Sequence, residues 1–147
     1  MKSKGLIAGL IIAAGVGSAG AAYSHMWAVS AAPQATCRGP ARAMARLELL
    51  FGTSRPHGGP VSEQEWSSFL DAEVTPRFPN GLTVLRGPGQ WRSEDGKLTK
   101  EQSNILVVWH EPTSQAEVHI EAIRTAYKAR FSQESVMRVD SMSCVSF

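Results

Sequence analysis

The side chains able to do chemistry in this chain are few and spread along it. Arg55 and His57 share a stretch rich in glycine and proline at 52–60, and Arg77 stands in the stiff segment 75–81, Thr-Pro-Arg-Phe-Pro-Asn-Gly. A guanidinium held on a stiff segment suits capture of a carboxylate or phosphate, because its planar fork of donors matches two acceptor oxygens at once. Its plainer use is an ion pair with Glu73 or Glu101. Trp91 lies between Gln90 and Arg92, and an aromatic so flanked serves either packing or recognition. If Arg55, Arg77, Arg92 and Glu101 converge on one cleft, His57 or Glu101 is the candidate general base and the substrate is small and anionic.

Well-marked catalytic signatures are absent: there is no G-x-S-x-G elbow, P-loop, H-E-x-x-H helix or EF-hand loop. Gly87-Pro88-Gly89 reads as a tight turn and not as a phosphate cradle. The four histidines, His25, His57, His110 and His119, show no metal-ligand spacing, and a trio of His57, His110 and Glu101 has none to support it. No metal and no cofactor are therefore expected. His119, beside Glu117 and Glu121 on a helix face, is expected in solvent.

The 147 residues carry a formal charge of +2, with Lys2 and Lys4 at the N-terminus. From Arg38 onward 13 basic side chains balance 13 acidic ones, so the excess belongs to the leader. A neutral domain lacks the electrostatic footprint of a nucleic-acid binder. The two lysines precede an apolar run at 5–22 and then small residues, the pattern of a secretory signal over 1–32. Cleavage is expected after Ala21, Ala22 or Ser30, giving a new N-terminus between Ala22 and Ala31. The alternative is an uncleaved anchor in the inner membrane through residues 5–22, the one membrane contact the sequence allows. Lipidation at Cys37 is disfavoured, since Gln34-Ala35-Thr36 does not fit the required upstream pattern.

Cys37 and Cys144 bracket the rest of the chain almost end to end. In an oxidising compartment they most simply form one disulfide, and no Cys-X-X-Cys spacing supports a redox-active thiol. A linker is expected over 33–43 and a single domain over 44–147. Leu47, Leu49 and Phe51 alternate as in a strand. Ser62 and Glu65 form a capping box, with Val61 and Trp66 as the staple, opening a helix that Pro76 ends by biasing Thr75 away from helical geometry. Residues 82–85 and 90–92 read as strands paired around Gly87-Pro88-Gly89, and residues 93–97 as a further polar turn. Ile105 to Trp109 is apolar on both parities, as in a central strand. A second helix follows Pro112, capped by Ser114 with Glu117, and buries Ala116, Ile120, Ile123, Tyr127 and Phe131. Residues 134–140 make the last strand, with Cys144 just beyond.

The order β-α-β-β-α-β is that of an α+β, ferredoxin-like split βαβ fold: an antiparallel sheet with two helices on one face, here with an extra β-hairpin arm. Its last strand lies beside its first, as a Cys37–Cys144 bridge requires.

Phe51-Gly52 with Pro56 and Gly58, Val61-Ser62 through Trp66 and Phe69, the run from Val74 to Val84, and Gly89-Gln90-Trp91-Arg92 together resemble domain of unknown function 3574. That is an uncharacterised family of small exported bacterial proteins. The resemblance covers residues 37–147, and Asn80 stands where the family's pattern favours Asp. It implies export and a compact α+β domain, and it implies no known reaction. The expected function is an exported periplasmic or cell-envelope module that binds a small molecule or a protein partner. Homodimerisation through the sheet face or edge fits the plan. The alternative is a small periplasmic enzyme acting on an anionic substrate through the Arg/His/Glu cleft.

Overall fold

Alternating apolar residues at 47, 49 and 51 fix the first strand, β1 (Arg42–Gly52), whose inward side chains are fully buried. The computed structural model describes residues 36–147; the leader read over 1–32, with His25, Trp27 and the cleavage points, lies outside them. β1 is followed by α1 (Glu63–Phe69), a π-helical turn (Leu70–Val74), β2 (Thr83–Arg92), β3 (Leu98–His110), α2 (Ser114–Phe131) and β4 (Met137–Val145). The four strands form one antiparallel sheet in the order β2-β3-β1-β4, so β3 and β1 are central. β1 already begins inside the stretch expected to be linker.

Both helices lie against one face of the sheet. The Trp66, Phe69 and Val74 stripe of the first and the Ile120, Ile123, Tyr127 and Phe131 stripe of the second meet Leu47, Leu49, Phe51, Leu106 and Val108. Phe51 sits at the middle, with ring centroids 4.6 Å from Tyr127 and 5.2 Å from Trp66. Burial of each such side chain contributes about 1.5–3 kcal/mol. The Ser62 capping box is present in full, and Val61 and Trp66 are both buried as a staple requires.

Four local expectations change. β2 runs straight through Gly87-Pro88-Gly89 and pairs with β3 throughout, Gly87 opposite Ser103 and Gly89 opposite Glu101. The chain reverses instead at residues 93–97, where Ser93 and Lys97 close the loop and Asp95 accepts from the Lys97 amide at 3.1 Å. Pro88 is tolerated because β2 is an edge strand, which leaves one row of amides unpaired in any case. The hairpin arm is thus the continuation of β2 and β3 past the end of β1.

At the first helix, Thr75 keeps right-handed helical geometry (φ −56°, ψ −43°). Its amide closes the π turn onto the Leu70 carbonyl, and the Arg77 and Phe78 amides both donate to the Val74 carbonyl. Those bonds outweigh the bias that Pro76 exerts on its predecessor. α2 is capped by Thr113, whose hydroxyl accepts from the Ala116 amide at 3.1 Å, and not by Ser114. β4 extends beyond the expected limit at 140 and contains Cys144. Ala43 pairs with Cys144, and the Cys37–Cys144 disulfide closes there, with Cα atoms 5.5 Å apart.

Candidate functional site

The segment after the π turn creates a concavity at one edge of the sheet. β2 begins only at Thr83, opposite Val107, so residues 108–110 of β3 lack a neighbour on that side. The stiff segment 77–82 passes across the gap. Gly81, at φ +133°, takes a backbone conformation that a side chain would strain. The resulting cleft has a volume of about 600 Å³ and is closed on its third side by the first turn of α2.

Phe78 forms its floor. The ring is buried, with centroids 5.5 Å from His110 and 6.1 Å from His119, so one phenyl separates two imidazoles that approach from a strand and a helix. Each imidazole is oriented through its Nδ1, which donates to a backbone carbonyl: Glu111 at 2.8 Å for His110, and Arg77 at 3.3 Å for His119. In a neutral ring this places the hydrogen on Nδ1 and leaves Nε2 as an acceptor. His110 Nε2 is buried and makes no hydrogen bond among the described residues. Arg77 binds the Glu73 carboxylate at 3.0 Å, and Arg42 stands 3.7 Å from Glu111. With Leu82 and Ala116 as apolar walls, the cleft offers an apolar body-binding surface rimmed by two arginines and two imidazoles.

The remaining candidates lie elsewhere. Arg55 pairs with Glu65 at 2.6 Å and covers the Phe131 ring at 5.3 Å. That guanidinium, then the Ser62 amide and hydroxyl, hold the Glu65 carboxyl down from 4.5 to about 2. The Glu101 carboxylate accepts from the Ser54 amide at 2.7 Å. It lies over Gly52, where a β-carbon would stand 2.6 Å from its oxygen. Arg55 and Glu101 thus share one end of the sheet with Tyr127, whose phenol is pushed well above its ordinary range by burial first and by the Glu101 charge second. Arg77 is at the other end: His110 stands nine steps along β3 from Glu101, about 30 Å at the usual strand rise. Trp91 and Arg92 are on the arm, the indole donating to Glu134 at 3.5 Å and the guanidinium to the Gly96 carbonyl at 2.8 Å. His57 is exposed on its loop. The five polar candidates therefore do not form one cleft.

Sequence reasoning missed Phe78, His110 and His119 as a group. The signal was present: His110 shares the inward parity of Leu106 and Val108, and His119 falls three residues after Ala116 and four before Ile123, on the edge of the buried stripe. Among the described residues no group of three His, Cys, Asp or Glu side chains is placed to hold a metal ion.

No curated protein matches the chain. Among solved structures, a phage SAM lyase in complex with S-methyl-5'-thioadenosine is similar in fold, with a TM-score of 0.57 and 10% identity over 71% of this chain and 90% of that one. CutA from Synechococcus elongatus superposes less well, with a TM-score of 0.47 and 12% identity over 71% of this chain and 80% of that one. The antiparallel order and paired helices identify the fold as ferredoxin-like α+β. Residues 46–147 match the family model described as a protein of unknown function, DUF3574, and the chain belongs to that family.

Proposed function

We propose that this is an exported small-molecule-binding domain, and that its ligand sits in the cleft between segment 77–82, the end of β3 and the start of α2. The observation that carries this reading is the cleft itself, about 600 Å³ with Phe78 between two backbone-oriented imidazoles. That is the size and the balance of apolar wall to convergent polar groups expected of ligand sites. The apolar floor favours a ligand with an aromatic or apolar body, and Arg42 and Arg77, each paired with a carboxylate of this chain, can exchange that partner for one carboxylate or phosphate of the ligand. Export is supported by the lysine-led apolar leader and by a disulfide joining the ends of the domain. Among the described residues no helix is long and apolar enough to cross a membrane.

The enzyme alternative draws less support, because Arg55 and Glu101, Arg77, and Trp91 with Arg92 occupy three separate regions. The phage lyase of similar fold holds a nucleoside thioether, which makes that molecule a reasonable member of a test panel alongside aromatic carboxylates and organic phosphates. Thermal-shift measurements on the full chain should find at least one compound whose stabilisation falls tenfold or more in potency in His119→Ala. Equal potency in the variant would move the ligand out of the cleft. Mass spectrometry of the protein recovered from the periplasm should show a new N-terminus between Ala22 and Ala31, whereas intact Met1 in the cytosol would rule export out.

A further inference from the structure

The end of β3 carries a backbone donor and acceptor that no strand uses. The Thr53 amide donates to the Gln102 carbonyl at 3.2 Å, just past the last pair of the β1–β3 ladder. In an antiparallel ladder, successive residues of a central strand turn their N–H and C=O groups alternately to one neighbour and then the other. The register of β3 with both neighbours is unbroken. Its even-numbered residues therefore bond toward β1 and its odd-numbered residues toward β2. Val107 faces Thr83, the first residue of β2. Trp109 is the next to turn that way, and β2 supplies nothing for it. The register continued would set Leu82 opposite Val108 and Gly81 opposite Trp109, but Gly81 leaves strand geometry at φ +133°. Among the described residues, the Trp109 amide and carbonyl hydrogen-bond to nothing. They border the cleft described above.

We propose that this edge receives the carboxyl-terminal end of an extended peptide, whose last residue pairs with Trp109. The inference rests on the ligand-binding reading of the cleft and names its ligand class. An unpaired strand edge is a template for another extended chain. The N–H and C=O of one extended residue face the same side, so a single residue satisfies both Trp109 groups. A carboxylate or an aromatic ring alone satisfies at most one.

The register also sets the direction and the stop. Running antiparallel, as every pair in this sheet does, the peptide points its C-terminus toward Leu82. Leu82 stands at the next register position and ends it there. The terminal carboxylate then accepts from the Trp109 amide, a charge-assisted bond, while the last N–H donates to the Trp109 carbonyl. The preceding residue falls opposite His110 and shares its face of the sheet. That face leads to Phe78, 5.5 Å from the His110 ring, which favours an aromatic or large apolar side chain.

The test is nuclear magnetic resonance on the full chain with N-acetyl-phenylalanyl-glycine as the probe. The dipeptide should shift the rings of Phe78, His110 and His119 and slow hydrogen exchange of the Trp109 amide at least tenfold. Its ester isostere, N-acetyl-phenylalanyl-glycolate, has oxygen in place of the last N–H and leaves the Trp109 carbonyl unpaired. It should bind at least tenfold more weakly. So should N-acetyl-phenylalanyl-glycyl-glycine, whose extra residue meets Leu82. An ester that binds as tightly as the dipeptide overturns the proposal, as does an unprotected Trp109 amide or a dipeptide that does not bind. Phenylpropionate, with ring and carboxylate but no amide, separates the two readings. If it moves the three rings and the dipeptide does not, the cleft is a ligand site and the peptide inference alone fails.

Discussion

Tyr127 donates its phenolic hydrogen to the carbonyl of Gly52 across 2.8 Å, tying the last turns of α2 to the end of β1. The phenol is the polar end of a ring packed at 4.6 Å against Phe51, so one side chain supplies both core and closure. Tyr127→Phe keeps the ring and removes the bond, and should cost about 1–2 kcal/mol in urea denaturation. The variant should also change behaviour in alkali. Burial raises the folded-state value above the ordinary 10.0. The wild type therefore keeps this contribution below pH 10 and loses it as pH rises further, because the unfolded phenol ionises first. Tyr127→Phe should flatten that alkaline decline in a plot of stability against pH. An unchanged slope would mean that another group is responsible.

The acid side is governed in part by Glu65. Its carboxyl is held from 4.5 down to about 2, chiefly by the Arg55 guanidinium and then by the Ser62 cap. A lowered folded-state value gives stability that is complete above the unfolded value and is lost as pH falls from about 4.5 to 2. Glu65→Gln can still accept from the Ser62 amide but does not titrate, so its melting temperature should vary less over that interval. Matching slopes for the two proteins would contradict the pairing with Arg55.

Gly52 and Glu101 form a second testable pair. A β-carbon at Gly52 would meet the Glu101 carboxylate, the movable end of a side chain. Gly52→Ala should therefore displace that carboxylate from the Ser54 amide and cost about 1 kcal/mol, the value of one such bond. In a Glu101→Ala background the same substitution should cost less. A double-mutant cycle by chemical denaturation measures the difference, and strict additivity would show that the carboxylate is not the obstacle.

The disulfide spans 107 residues. Removing it with the Cys37→Ser, Cys144→Ser double variant should lower stability by about 2–5 kcal/mol, the usual range for a native bridge. Denaturation of the wild type with and without reductant should give the same difference. The β1–β4 pairing holds the two ends of the domain together independently, so the reduced protein should keep its circular-dichroism spectrum at low temperature.

Much of this fold was legible in the sequence because its signals were local. The Ser62–Glu65 box, the stripe from Ala116 to Phe131 and the two-sided apolar run at 105–109 each specify an element without help from distant residues. Gly87-Pro88-Gly89 misled, since its turn chemistry is overridden by continuous pairing with β3 on an edge where Pro88 sacrifices little. The site was harder to see. Arg55 and Arg77 drew notice as charged groups on stiff loops, yet each is already engaged, by Glu65 and by Glu73. His110 and His119 come together only because β2 starts late and the segment at 77–82 carries Phe78 between them. That juxtaposition depends on strand register, which single-residue patterns do not encode.

Whether the cleft holds a ligand is decided most directly by nuclear magnetic resonance on the full chain. Aromatic carboxylates, organic phosphates and a nucleoside thioether would be titrated while the ring signals of Phe78, His110 and His119 are followed. The account predicts that at least one of these classes shifts all three rings along a single saturable curve and leaves the indole of Trp91 unmoved. Saturable shifts confined to the arm or to the Arg55 end, or no saturable shift of the three rings by any class, would contradict it.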